Sequence, residues 1–180
     1  GLKPSFGRIP FTILPSQFDS LSHFGPLART VADAALFLKA TQGPDERDIQ
    51  SLKPALDIPD SLTSDVRGIK LALTVDLGYY AVAPEVEKNT RLAVDALRDS
   101  GAQIEEVDLG WSAAINEAWT AHWGVYLAQF FGQHLAAWRD RMDPGVVRLM
   151  DAGFAMRAVD FKRLEFVRTE HWLKLAPILG

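Results

Sequence analysis

Residues 69–75 read Ile69-Lys70-Leu71-Ala72-Leu73-Thr74-Val75. Large apolar side chains occupy every second position of this run, which predicts a strand with one better-buried face. A helical pattern follows, with Pro84 at its first position and Gly101 just beyond its end. Because residues 103–109 again suit a strand, the segment 68–110 predicts a βαβ unit, with parallel strands joined by a right-handed crossover.

The chain before this unit predicts one helix and two connecting regions. Its first residues are rich in Pro and Gly and predict extended chain and loop. Thr30, three residues before Asp33, predicts an N-terminal cap for a helix near 29–41. The polar, proline-containing stretch 44–67 predicts a surface connection.

After the βαβ unit, the spacing of apolar residues predicts helices throughout the chain. Together with the crossover helix near 84–99, the predicted helices lie near 112–139, 144–152 and 158–176. Pro177 is expected to disturb the last of them near its end, because proline lacks an N–H group.

The first of these helices carries an aromatic stripe. Ile115, Trp119, Trp123, Tyr126 and Phe130 recur at helical spacing. Such a stripe is commonly core, and it is also the best candidate for a ligand-facing wall. The candidate substrate-binding residues are Trp123, Tyr126 and Phe130.

Composition excludes several classes of protein. With 48% hydrophobic and 23% charged residues, the chain suits a folded globular protein. The 19 basic and 23 acidic side chains form no basic cluster, so nucleic-acid binding is not expected. No apolar run approaches the roughly 20 residues that span a bilayer, so no membrane partner is expected. The absence of cysteine suits a reducing cytoplasm.

The residues by themselves reveal no catalytic or cofactor site. The turn at 76–81 after the first predicted strand has one glycine and two tyrosines, unlike a dinucleotide-binding loop or a P-loop. The four histidines show neither an HExxH pattern nor paired ligand spacing. We therefore predict no catalytic residue, no metal ligand and no cofactor within this chain.

Four stretches of the chain, in order and suitably spaced, resemble the amidase-signature family. They are residues 1–8 (Gly-Leu-Lys-Pro-Ser-Phe-Gly-Arg), residues 24–35 (Phe-Gly-Pro-Leu-Ala-Arg-Thr-Val-Ala-Asp-Ala-Ala), the unit from 68 to 102, and the helical part from 142 to 168. The first two are quite specific in combination. The resemblance covers essentially the whole chain and implies a strand near residues 1–8.

The resemblance implies hydrolysis of carboxamides by a Ser–cis-Ser–Lys triad. In this family both serines, the lysine and the Gly/Ser-rich loop precede the strand that residues 1–8 resemble. We therefore expect an internal piece of an amidase, with its catalytic residues upstream and a small-molecule amide as the substrate of the full-length enzyme. None of Ser5, Ser16, Ser20 or Ser22 lies in a Gly-rich loop, so none receives a catalytic role.

The predicted fold class is α/β with helix dominating, a partial amidase-signature fold with a βαβ unit and a helical C-terminal half. We expect a single segment of that domain, comprising a post-catalytic strand, loop and helix at 1–43, the connection at 44–67, the βαβ unit at 68–110 and the helical part at 111–180. A partial sheet leaves strand edges exposed, which predicts self-association through them.

Two other functions remain open from the sequence. The chain resembles an amidase but could serve as a stand-alone, non-catalytic binding or interaction module that uses the aromatic stripe. It could also be an independent hydrolase built on His122 or His134, although the sequence places no nucleophile near either histidine.

Overall fold

A computed structural model describes residues 1–16, 18, 20–60, 62 and 65–180. The chain forms two compact units, residues 1–64 and residues 65–180. Residues 61, 63 and 64 of the predicted connection lie outside the described residues. The rest of that connection contains neither helix nor strand.

Among its described residues, the first unit has one helix, α1, at Val31–Thr41. The Oγ1 atom of Thr30 accepts a hydrogen bond from the backbone N–H of Asp33 at 3.0 Å, which satisfies a donor of the first turn. At the other end the N–H of Gln42 donates to the carbonyl of Leu38. The predicted helix near 29–41 is confirmed, and so is its cap.

The prediction of a strand near residues 1–8 is wrong in this structure. Leu2 donates its N–H to the carbonyl of Pro26, but Arg8 donates to Ser5 and closes a turn, both at 3.0 Å. Gly7 lies in this turn with φ +71°, a conformation that favours glycine. The segment is therefore extended chain followed by a turn, because a turn cannot continue a regular strand ladder.

A buried carboxylate organises the loops of the first unit. Asp48 is 5% exposed, and its two oxygens accept the backbone N–H groups of Phe11 at 2.8 Å and Gln50 at 2.9 Å. Buried polar groups are stable when they are paired in this way. We assign Asp48 a structural role.

The second unit begins with the predicted βαβ arrangement. Strand β1 spans Lys70–Leu73, helix α2 spans Pro84–Asp99 and strand β2 spans Gln103–Glu106. The strands pair in parallel, with Lys70 opposite Gln103. Both the parallel pair and the crossover helix are confirmed.

The predicted burial of one strand face is only partly realised. Leu73 is buried, whereas Ile69 is 45% and Leu71 36% exposed. A sheet face becomes buried only when another layer covers it. In the described part of the chain, no second layer buries the side chains of Ile69 and Leu71.

The rest of the second unit is helical. After β2 come α3 at Ala114–Phe131, α4 at Leu135–Trp138, α5 at Pro144–Ala155 and α6 at Ala158–Leu179. The core of this part lies between α3 and α5, where Met150 is fully buried.

The single helix predicted near 112–139 is broken. The α-helix ends at Phe131, and the chain tightens into 3-10 turns at Gly132–His134 and Arg139–Arg141. Glycine is a poor helix former by about 1 kcal/mol relative to alanine. A Cβ atom on Gly132 would also lie 2.3 Å from the ring of Phe154, so a larger residue at this position would displace that exposed ring.

The last two helices are longer than predicted. Asp143 caps α5 by accepting the N–H groups of Gly145 and Val146, and α5 runs to Ala155. Helix α6 continues through Pro177 to Leu179, so the expected disturbance near its end is absent. The hydrogen bond that proline loses falls in the final turn of α6, where little helix remains to be disrupted.

Candidate substrate-facing surface

Four aromatic rings follow one another along α3. Trp119 and Trp123 stack with centroids 6.0 Å apart, and Trp123 and Tyr126 stack with centroids 5.4 Å apart. The rings of Tyr126 and Phe130 are tilted to each other, with centroids 4.4 Å apart. At 100° per residue, all four side chains lie within an arc of about 60°. We call this set the aromatic ladder.

The aromatic ladder lies outside the core of the second unit. Trp119 is 58% and Trp123 37% exposed, and Tyr126 and Phe130 are half-buried. The buried side of α3 bears Ala118, His122, Gly124, Leu127 and Ala128. The structure thus brings the three predicted substrate-binding residues together with Trp119, which belongs to the same predicted stripe.

A close helix crossing holds α3 in place. A Cβ atom on Gly153 of α5 would lie 2.2 Å from the carbonyl oxygen of Gly124 on α3, and one on Gly124 would lie 2.8 Å from the carbonyl oxygen of Leu149. The two backbones therefore approach to a distance that admits no side chain. This crossing positions the aromatic ladder without itself taking part in it.

His122 is a packing residue in this structure. It is 7% exposed, and its Nδ1 lies 2.9 Å from the carbonyl oxygen of Ala118, to which it donates. Its ring contacts Phe161 of α6 at 5.0 Å. These contacts assign it to the packing between α3 and α6, whereas His134 lies exposed in a 3-10 turn.

A groove of about 500 Å³, distinct from the aromatic ladder, lies between α6 and the start of α3. It includes Trp111, Ile115 and Trp172. Trp111 donates its Nε1–H to the carbonyl of His171 at 3.1 Å. Lys174 donates to the carbonyl of Gly110 at 2.8 Å. These bonds hold α6 against the loop that precedes α3.

Another groove, of about 440 Å³, lies at the carboxyl ends of the two strands. It includes Asp76, Tyr80 and Asp108. On its wall Arg91 bonds Glu87 and Glu106, both at 2.9 Å. Hydrogen bonds to these two carboxylates raise the pKa of the Arg91 guanidinium. The pairs are exposed, so each contributes little to stability.

The described residues offer neither a metal site nor a membrane-spanning helix. Among them, no three His, Cys, Asp or Glu side chains gather closely enough to hold a metal ion. No helix in that part of the chain is long and apolar enough to cross a membrane.

Comparison with known proteins identifies the family. The family model named Amidase matches residues 1–173, so the chain belongs to the amidase family. It is similar to an acylamidase of Rhodococcus erythropolis, with 33% identity over 177 residues, which cover 96% of this chain and 36% of that protein.

A solved structure agrees with this assignment. The crystal structure of a bacterial aryl acylamidase of the amidase signature family matches with a TM-score of 0.87 and 29% identity, covering 99% of this chain and 39% of that one. A glutamyl-tRNA(Gln) amidotransferase subunit of Roseiflexus sp. strain RS-1 is 38% identical over 110 residues, or 61% of this chain and 23% of that protein. The fold is thus a partial amidase-signature fold, and the chain spans well under half the length of these relatives.

Proposed function

We propose that the enzyme to which this chain belongs hydrolyses acyl amides, including amides of aromatic amines. The supporting observation is the likeness to the bacterial aryl acylamidase, which extends over 99% of the chain at a TM-score of 0.87. Amidotransferase subunits are the second candidate. Their similarity covers 61% of the chain, against 96% for the acylamidase of Rhodococcus erythropolis, and this favours the hydrolase.

The catalytic residues are proposed to precede residue 1. In the family that this chain resembles, a neutral lysine, acting through a bridging serine, removes the proton of the nucleophilic serine. Backbone N–H groups of a Gly/Ser-rich loop stabilise the oxyanion. Sequencing the codons before Gly1 tests this proposal, since it requires a Gly/Ser-rich stretch there ending in Gly-Gly-Ser-x-Arg.

The contribution of this chain is proposed to be scaffold and one wall of the substrate pocket. The aromatic ladder presents stacked rings at the surface, and large exposed apolar patches commonly mark binding sites. Aromatic rings bind planar or apolar groups through their faces and edges. An aryl group or an extended acyl chain fits this chemistry better than a small polar amide does.

Removing one ring of the ladder should alter substrate selectivity. In the full-length enzyme, we expect Trp123→Ala to reduce kcat/KM about tenfold for aryl or long-chain acyl amides, because a stacking surface is lost. Short aliphatic amides should be hydrolysed nearly unchanged. Steady-state kinetics across a series of acyl chain lengths, with amine release as the readout, measure this ratio.

The matched control for this experiment is Trp138→Ala. Trp138 lies on α4, is 47% exposed, contacts Arg141 at 4.8 Å and is not part of the aromatic ladder. Its loss should leave the ratio unchanged. If Trp123→Ala lowers kcat/KM equally for all substrates and also lowers thermal stability, the ladder only packs and does not contact the substrate.

The non-catalytic alternative is distinguishable by turnover. A binding module would retain aryl amides without releasing amine, even in the full-length protein.

A cytoplasmic location stays a prediction, which rests on a sequence without cysteine.

We also propose that this chain self-associates through its strand edges. The β1–β2 pair is a two-stranded sheet, and the N–H groups of Gln103 and Val107 donate to the carbonyls of Ile69 and Leu73. Since N–H directions alternate along a strand, the N–H of Ile104 points to the outer edge of β2. In the described part of the chain, no further strand pairs with that edge.

Blocking this outer edge should reduce association. We expect the 180-residue chain to form dimers or larger species at high concentration, and Ile104→Pro to shift it towards monomer, since proline removes an outward donor and not an inner one. Ile104→Ala is the control for loss of the side chain. Light scattering after size-exclusion chromatography measures the masses, and a monodisperse monomeric parent chain contradicts the proposal.

A further inference from the structure

The loop that follows β1 has an unusual backbone. Leu77 has φ +53° and is followed by Gly78 at φ +84°. A leucine in the left-handed region costs about 1–2 kcal/mol. Such strain persists only where surrounding contacts determine the conformation, and it is concentrated at functional sites.

Hydrogen bonds between neighbouring residues determine the shape of this loop. Thr74 Oγ1 accepts the N–H of Leu77 at 3.1 Å, and Asp76 Oδ1 accepts that of Gly78 at 2.8 Å. The carbonyl of Asp76 accepts the N–H groups of both Tyr79 and Tyr80, at 3.1 and 2.9 Å. The loop therefore presents its two tyrosines in a defined arrangement.

The two tyrosines connect the loop to α3. Their rings lie with centroids 4.3 Å apart, and the hydroxyl of Tyr80 donates to Oδ1 of Asn116 at 2.7 Å. Burial, followed by hydrogen bonding with Tyr80, raises the pKa of Tyr79 to about 12.

Asn116 lies on the same side of α3 as the aromatic ladder. At 100° per residue it falls within about 20° of Trp123, and it lies about 4.5 Å along the axis before Trp119. The hydrogen bond therefore places Tyr80 at the Trp119 end of the ladder. Tyr80 remains 44% exposed, so part of its side chain is accessible beside the ladder.

We propose that Tyr80 is a specificity-determining residue that ends the substrate surface at the Trp119 end of the aromatic ladder. It limits how far an acyl or aryl group extends along α3, and Asn116 positions it. This inference rests on the proposed amide hydrolysis. In the sequence, this position shows only as a pair of tyrosines in a strand-to-helix loop. That pattern does not reveal that Tyr80 bonds Asn116.

The test uses the full-length enzyme and a series of anilides whose para-alkyl substituent grows from methyl to butyl. We expect Tyr80→Ala to raise kcat/KM for the butyl compound, relative to the methyl compound, by at least about tenfold, since a pocket discriminates by about tenfold or more for one methylene and these two compounds differ by three. Tyr80→Phe keeps the ring but loses the hydrogen bond to Asn116. It should change the ratio in the same direction by a smaller factor, and Asn116→Ala should match it.

The outcomes separate this inference from the function on which it rests. If the parent enzyme releases no amine from any anilide, the proposed function fails and the inference falls with it. If the parent is active but none of the three variants changes the butyl-to-methyl ratio, the inference alone fails. Should Tyr80→Ala not fold, Tyr80→Phe and Asn116→Ala decide, because each removes only one polar contact.

Discussion

The 180-residue chain, purified by itself, is expected to release neither ammonia nor amine from amides above background. In the family to which it belongs, the nucleophile, the bridging serine, the lysine and the oxyanion loop are proposed to precede residue 1. Removing a single oxyanion donor typically costs about a hundred- to a thousandfold in rate. A nucleophile and its base contribute several further orders of magnitude.

One wall of a substrate pocket cannot offset these losses. Positioning accelerates a reaction only when a reacting group is held against the substrate. The aromatic ladder presents rings and one phenol, and His122 is occupied by packing and by the carbonyl of Ala118. We therefore expect the isolated chain to bind aryl amides at most.

The measurement is incubation with aryl and aliphatic amides while ammonia and amine release are followed. The full-length enzyme under the same conditions is the positive control. Turnover that survives repurification and disappears when a residue within 1–180 is mutated would show that the active site lies within this chain. His122→Ala and His134→Ala are the first variants to examine in that case.

Gly153→Ala is expected to destabilise the second unit strongly, because the added Cβ atom meets the backbone of α3. The new Cβ atom would lie 2.2 Å from the carbonyl oxygen of Gly124, 2.4 Å from its carbonyl carbon and 2.8 Å from the nitrogen of Val125. All three are backbone atoms of α3, so no side chain can move aside. Helices α3 and α5 must separate, and the packing around Met150 loosens.

Overpacking of this kind costs about 3 kcal/mol. For a chain of this size, such a loss lowers the melting temperature by about 6–12 °C. Thermal and urea unfolding, followed by circular dichroism, measure both quantities. The tryptophans of the aromatic ladder report the same event by fluorescence, because the ladder lies on α3.

The matched control is Ala152→Ser, which adds one atom to an exposed neighbouring position of the same helix. It should change stability by less than about 0.5 kcal/mol, as surface substitutions usually do. Equal stability of Gly153→Ala and the parent chain would mean that the α3–α5 crossing is looser than the structure shows. A second arm, Gly124→Ala, probes the same crossing from the other helix, where Cβ would lie 2.8 Å from the carbonyl oxygen of Leu149.

The elements that were predicted correctly depend on local signals. Thr30 caps α1 through a bond to the third residue after it, and Pro84 begins α2. The alternation at 69–75 and the crossover length imply parallel pairing, which the register of β1 and β2 confirms. Hydrogen bonds and steric preferences within a few residues are sufficient for each of these features.

The features that the sequence missed depend on distant partners. The apparent helix near 112–139 stops at Gly132, beneath the ring of Phe154. Gly153 lies just beyond the helix predicted near 144–152, yet it is a residue of α5 and the point at which α5 meets α3. Residues 1–8 match a family strand in sequence, but the turn that ends at Arg8 leaves them without a regular ladder.

The sequence by itself determined the family, the βαβ unit, most of the helices and the spacing that gathers the aromatic ladder on one side of α3. Only the tertiary structure decided that the ladder faces outward, that α3 and α5 cross at Gly124 and Gly153, and that Tyr80 reaches Asn116 across 36 residues of chain. The reason is physical. A periodic pattern specifies which side chains share a face, whereas the partner of that face is selected by shape and hydrogen bonding among segments that the pattern does not relate.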